Sequence, residues 1–142
     1  MGEIAFLSDP CYGTMSKWNC TMEMVPGDYT VFITRTEAKM IEGVFMFSTE
    51  KDPTYSVIVD GEWPNDEPYG VIHRIASSGR VKGVLAKCVE FAKKSADNLR
   101  IDTHEENLVM QSALSKLGFE KCGIIFLENG DPRIAFQLIV NK

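Results

Sequence analysis

The stretch from 69 to 94, YGVIHRIASSGRVKGVLAKCVEFAKK, limits the possible fold more than any other part of the chain. Its first eight residues, 69–76, are rich in β-branched and aromatic side chains and predict a strand. After a loop with glycines at 79 and 83, Val84, Leu85, Cys88, Val89, Phe91 and Ala92 recur at helical spacing. That pattern makes one apolar helix face, with Lys87, Lys93 and Lys94 on the solvent side. Residues 99–103, LRIDT, predict the next strand. Strand, helix and strand in this order form a parallel, right-handed unit, which requires a layered α/β domain.

The rest of the chain fits around that unit. Residues 29–34 (YTVFIT) and 40–49 (MIEGVFMFST) predict two strands joined by a turn at 36–39. Residues 50–68 carry three prolines and many acids and predict a long loop, with an extended piece at 55–59. Met110, Ala113, Leu114 and Leu117 make the stripe of a second helix, which ends at Gly118. Either Thr103-x-x-Glu106 or Asn107 caps it. Two strands follow at 122–127 and 134–140, with Asn129-Gly130 as a hairpin signal between them. The first 28 residues are atypical: 4–7 predict a short strand and 15–24 a poor helix. With 142 residues and 44% apolar content, the expectation is one domain over 1–142.

Arg80 and Lys82 stand directly before the first helix. A helix start leaves backbone N–H groups unpaired and carries positive potential, so a glycine-bearing loop there can hold an anion. Gly83 lets a ligand approach the backbone without meeting a Cβ. The alternative is a tight turn with solvated cations. Neither G-x-x-x-x-G-K-[ST] nor G-x-G-x-x-G is present, which disfavours a nucleotide-binding fold.

Taken together, the motifs resemble the GCN5-related N-acetyltransferase (GNAT) family. Its cofactor motif, [Q/R]-x-x-G-x-[G/A], matches Arg80-Val81-Lys82-Gly83-Val84-Leu85, with leucine in the last slot. Its later motif, roughly N-x-x-A-x-x-L-Y-x-K-x-G-F, is similar to the run from Asn107 to Phe119. VIHRIA, RIDTH and KCGIIFLENGDPRIAF resemble a bacterial branch of the family, so the likeness covers roughly 29–138. The fold implied is an α/β, GNAT-like mixed and mostly antiparallel sheet flanked by helices. Its fourth strand (69–76) and fifth strand (99–103) would splay apart.

The activity implied is acetyl transfer from acetyl-CoA, the acyl-donor substrate, directly to the amine of a small molecule or peptide. The pantetheine arm would pair with the backbone near Ile75, Ala76 and Ser77. The pyrophosphate would rest on the amides of Val81, Lys82, Gly83, Val84 and Leu85, helped by Arg80, and Asn107 would reach the cofactor from the second helix. Leu114 fills the slot where many members carry a tyrosine acid. That substitution keeps a second reading open, a catalytically silent GNAT-like module that binds CoA or a protein.

Direct transfer needs a neutral amine, and a base beside it helps. His73 and His104 are the only histidines, and each is a candidate base or a structural hydrogen-bonding group. Glu67, with Glu62 and Asp66, could bind a cationic acceptor, act through water or, as is more common for such a run, only form a solvated loop; Glu42 is either a base or a strand-edge charge. Trp18, Trp63 and Tyr69 could line an acceptor pocket or pack in the core. Arg74 and Asp102 could pair, and Arg133 would order the hairpin turn.

Composition excludes other classes. With 20 acidic against 15 basic residues and a net charge of −5, nucleic acid is not an expected partner. The four cysteines show no zinc spacing, so no metal is expected and a reducing, cytoplasmic setting is. No apolar run is long enough for a membrane span, and the start lacks a signal-peptide pattern. An abbreviated N-terminal region would leave apolar sheet surface for a homodimer.

Overall fold

The structure is a computed structural model and describes residues 18–140 together with the backbone of Glu3–Phe6. Its strands are β1 (Glu3–Phe6), β2 (Cys20–Met24), β3 (Thr30–Arg35), β4 (Met40–Ser48), β5 (Gly70–Ser77), β6 (Asn98–Thr103), β7 (Glu120–Phe126) and β8 (Pro132–Ile139). Its helices are α1 (Val84–Ala92) and α2 (Leu108–Lys116). The chain divides into two compact units: Met1–Ser48 with Ile72–Lys94, and Thr49–Val71 with Ser95–Lys142. The division falls within β5, between Val71 and Ile72.

In the first unit the strand order is β1-β2-β3-β4-β5, and β1 to β4 are antiparallel neighbours. Alternate residues Cys20, Met22, Val31, Ile33, Phe45 and Phe47 are buried, the period-2 signature of a sheet with one covered face. Helix α1 covers part of that face. Phe91 meets Phe45 and Phe47 edge-on, with ring centres 5.7 and 6.0 Å away. Each such pair adds about 0.5–1.5 kcal/mol beyond area burial. Gly43 permits the close approach, since a Cβ there would lie 2.6 Å from Val84 Cγ1.

Two expectations need correction in this unit. Residues 20–24 form a strand where a poor helix was expected over 15–24; positions 15–17 lie outside the described residues. Hydrogen bonding to β3 in a register that buries Cys20 and Met22 overrides the weak helical spacing. Lys87, expected on the solvent side of α1, is wholly buried. Its Nζ donates to the Trp18 carbonyl at 3.1 Å and lies 4.4 Å over the Trp18 ring.

In the second unit the order is β5-β6-β8-β7. The β5–β6 ladder is parallel, as the β-α-β pattern requires, and is two residue pairs long: Gly70 with Leu99 and Val71 with Arg100. β8 runs antiparallel to both β6 and β7. The β7–β8 hairpin closes where Asn129-Gly130 pointed, with Leu127 N–H donating to the Asp131 carbonyl. Tyr55, Val71, Ile125 and Ala135 form a core cluster, with Trp63 and Tyr69 packed against it. Asn107, not Thr103, caps α2: its Oδ1 accepts from Met110 N–H at 3.1 Å. The mixed, mostly antiparallel sheet with flanking helices is the fold class expected from the sequence.

The long acidic loop is more ordered than its composition suggests. Asp52 Oδ1 accepts from Thr54 N–H and caps a 3-10 turn at Pro53–Tyr55, which replaces the first part of the extended piece expected at 55–59. Only Val59 pairs as a strand would, exchanging both backbone hydrogen bonds with Ile124. Gly61 and Gly123 make room beside this bridge: a Cβ on Gly61 would collide with the Cys122 carbonyl.

Candidate functional site

The first unit builds a loop between β5 and α1. Gly79 and Gly83 both sit at positive φ, 82° and 89°, a conformation other residues adopt at a cost. Gly83 is the N-cap of α1 and no side chain caps the helix, so its first amides have neither an intrahelical nor a side-chain partner. The macrodipole makes that end attractive to an anion. The residues there are packed nonetheless: Gly83, Val84 and Leu85 are buried, Val81 is half-buried and Lys82 exposed. Trp18 Nε1 donates to the Lys82 carbonyl at 2.8 Å. Further back on β5, Ile75 is half-buried, and Ala76 and Ser77 are exposed.

Arg80 is not a loose cation. Its Nη2 lies 3.0 Å from Glu42 Oε1 and donates to the Ile41 carbonyl at 2.9 Å. Glu42, with no exposed surface, is the hub of this loop. It also receives Arg35 Nε at 2.8 Å and the Ser78 hydroxyl at 2.7 Å, and its carbonyl accepts Ser78 N–H. Burial pushes the Glu42 carboxyl up, but the Ser78 hydrogen bond, Arg80 and Arg35 pull harder and leave it below its ordinary value. Glu42 is therefore a loop anchor, neither of the roles open to it from sequence.

The histidines occupy different settings. His73 is half-buried on β5, one residue before Arg74, whose φ of 52° interrupts the extended strand. His104 is exposed after β6, and its Nδ1 accepts from Glu106 N–H at 3.0 Å. That bond puts the proton of the neutral ring on Nε2. Among the described residues, no group of three or more His, Cys, Asp or Glu could hold a metal, and no helix is long and apolar enough to cross a membrane.

The second unit contains a pocket of about 860 Å³ whose walls include Asp52, Tyr55, Trp63, Glu67, Tyr69 and Arg100. Trp63 and Tyr69 thus line a cavity, whereas Trp18 packs on the α1 loop. Arg100, only 4% exposed, lies 3.9 Å from the Trp63 ring centre and 4.1 Å from that of Tyr69. Its Nε donates to Gln137 Oε1 at 2.8 Å and its Nη2 to the Asn65 carbonyl at 3.0 Å. Asn65, Asn98 and Gln137 bond to one another behind it, and Asn98 Nδ2 donates to the Pro68 carbonyl. The Tyr55 hydroxyl donates to Asp102 at 2.7 Å, and Trp63 Nε1 to the Tyr55 carbonyl. Sequence reasoning passed over Arg100. Its signal was a guanidinium inside the apolar run of LRIDT, in a strand that the β-α-β pattern already buried.

No protein-family model matches the chain, and no curated protein matches it in sequence. Solved structures do. A GNAT-family acetyltransferase from Streptococcus agalactiae is 30% identical with a TM-score of 0.68, over 80% of this chain and 66% of that one. One from Listeria monocytogenes is 19% identical with a TM-score of 0.55, over 78% and 63%. The NatC complex, bound to Gag peptide and CoA, is 17% identical with a TM-score of 0.54, over 78% and 70%. The chain spans just under two thirds of the length of the first two. The chain has the fold of the GCN5-related N-acetyltransferase family.

Proposed function

We propose that this protein transfers the acetyl group of acetyl-CoA directly to the amine of a small molecule or peptide. The observation that carries the proposal is the uncapped N-terminus of α1 behind the positive-φ Gly83, an arrangement suited to a pyrophosphate. Likeness to a 30%-identical acetyltransferase supports it. So does the CoA held by NatC, a neighbour in fold. In this proposal the amides from Val81 to Leu85 receive the pyrophosphate, Arg80 shapes the loop from its seat on Glu42, and Ile75, Ala76 and Ser77 offer backbone to the pantetheine. The family resemblance makes Asn107, the cap of α2, a further cofactor residue in this proposal. The amine attacks the thioester carbonyl, the new C–N bond forms, the C–S bond breaks, and the CoA thiolate leaves. The proton released by the amine goes to water or to Glu67, which stands exposed on the pocket wall of the second unit. His73 is the second candidate. His104 would first have to give up the bond that Nδ1 accepts.

One observation favours the silent alternative, a module that binds CoA without turnover. Leu114, in the slot of the family's tyrosine, has no exposed surface and so leaves no acid there to protonate a thiolate. Calorimetry with acetyl-CoA, followed by thiol release over a panel of amines, tests both. Binding with thiol release supports transfer, binding without release supports the silent module, and no binding at millimolar acetyl-CoA removes both.

A further inference from the structure

We propose that the pocket of the second unit is a carboxylate-binding site with Arg100 as its receptor, so that the acceptor amine also carries a carboxylate, as an amino acid does. That the ligand is the acceptor rests on the function proposed above; the carboxylate site does not.

Arg100 carries a charge that no hydrogen-bonded carboxylate balances. Arg100 is 4% exposed, yet both its hydrogen bonds go to neutral oxygens, Gln137 Oε1 and the Asn65 carbonyl. Among the described residues no carboxylate lies within 4.0 Å of it, and Nη1 has no hydrogen-bond partner. A buried cation without a bonded counter-ion is costly. Two aromatic faces, Trp63 and Tyr69, offset part of that cost. Burial still pulls the guanidinium below its ordinary value, against the opposing influence of Tyr69, Cys122 and Asp66. The group nevertheless lines an open cavity. A planar guanidinium with a donor edge unspent is suited to a carboxylate, which it can take with two parallel hydrogen bonds.

The walls describe the rest of the ligand. Tyr55, Trp63, Tyr69 and the prolines at 53 and 68 offer an apolar lining, and Asp66 and Glu67 stand exposed at the same cavity. An ammonium group fits beside those two acids and a carboxylate beside Arg100. The ring stack and the Asn65–Asn98–Gln137 network hold the guanidinium in place, so little rotamer freedom is lost when a ligand arrives.

The test is binding to the full chain without CoA, read by tryptophan fluorescence and by the Nε–H resonance of Arg100. The probes are L-phenylalanine, 3-phenylpropionate and L-phenylalaninamide. The expected order places both carboxylates at least tenfold tighter than the amide, with the Arg100 resonance shifting only for the carboxylates. Equal binding by the amide, or no binding by any probe at 10 mM, which is on the order of the weakest affinity worth considering, would overturn the site. Arg100→Lys should cost about tenfold for the carboxylates. Because that variant could fail to fold, the exposed pair Asp66→Asn with Glu67→Gln gives a second check: it should weaken L-phenylalanine severalfold and leave 3-phenylpropionate unchanged. Equal loss for both ligands would overturn the ammonium assignment. If L-phenylalanine binds at Arg100 but releases no thiol from acetyl-CoA, the acceptor assignment fails and the carboxylate site stands.

Discussion

Arg80 and Glu42 are joined Nη2 to Oε1 at 3.0 Å, the carboxylate wholly enclosed and the guanidinium about half exposed. The pair ties the α1 loop to strand β4, so the loop's shape depends on a charge in the sheet. Replacing Glu42 with Gln should lower stability by about 2 kcal/mol, measured by urea denaturation at pH 7. Breaking a fully buried pair typically costs about 3–5 kcal/mol. The smaller figure applies because both arginines can turn to water. A loss below about 0.5 kcal/mol, the range of an exposed pair, would show that the cluster contributes nothing.

The same group sets an acid response. Its folded-state pKa is depressed, so its contribution is present above about pH 4.5 and fades as pH falls through the lower folded value. Thermal melts of wild type and Glu42→Gln should therefore be well separated at pH 7 and converge below pH 4.5. A constant separation down to pH 3 would contradict the assignment.

Tyr55 gives the opposite case. Burial first, and then Asp102, raise its phenol well above the ordinary value of 10.0. The neutral hydroxyl is favoured by folding, so the wild type should lose stability as pH rises past 10 while Tyr55→Phe does not. At pH 7 the Phe variant should be weaker by about 1–2 kcal/mol, because Asp102 loses its donor. Chemical denaturation at pH 7 and pH 11 measures both effects.

Cys88 has no exposed surface, and burial pushes its thiol well above the ordinary value. Iodoacetamide at pH 8 should leave Cys88 unmodified in the native protein and label it after unfolding, by peptide mass mapping. Native labelling within minutes would mean that α1 opens on that timescale.

Gly61→Ala should cost about 2 kcal/mol or more, because the added Cβ meets a backbone carbonyl that cannot swing away. Gly130→Ala, where open space surrounds the position, should cost only the positive-φ penalty of about 1 kcal/mol. Equal losses at the two positions would show that contact at Cys122 does not matter.

The strands and helices of the β-α-β region were legible because period and punctuation agreed there. Hydrophobic spacing named six residues of α1, and all six are buried. The strand at 20–24 was not legible, since CTMEM alternates for too few residues to outweigh its poor β-propensity without its partner β3. The 3-10 turn has a signal in the sequence: Asp52 before Pro53 is a cap followed by a ring suited to the first helical position. Glu42 and Arg100 show the deeper limit. A charge in an apolar run announces that something is unusual, but its partners come from segments far away in the chain, and only folding brings them within 3 Å.

The collision that a side chain at Gly61 would suffer says something about how a ligand would be received. With the Cys122 carbonyl filling that space and Val59 bonded to Ile124, the acidic segment is riveted to the β7–β8 hairpin and cannot behave as a flap. A molecule reaching Trp63 and Tyr69 would meet a cup already shaped. None of its binding free energy would be spent on freezing a mobile chain.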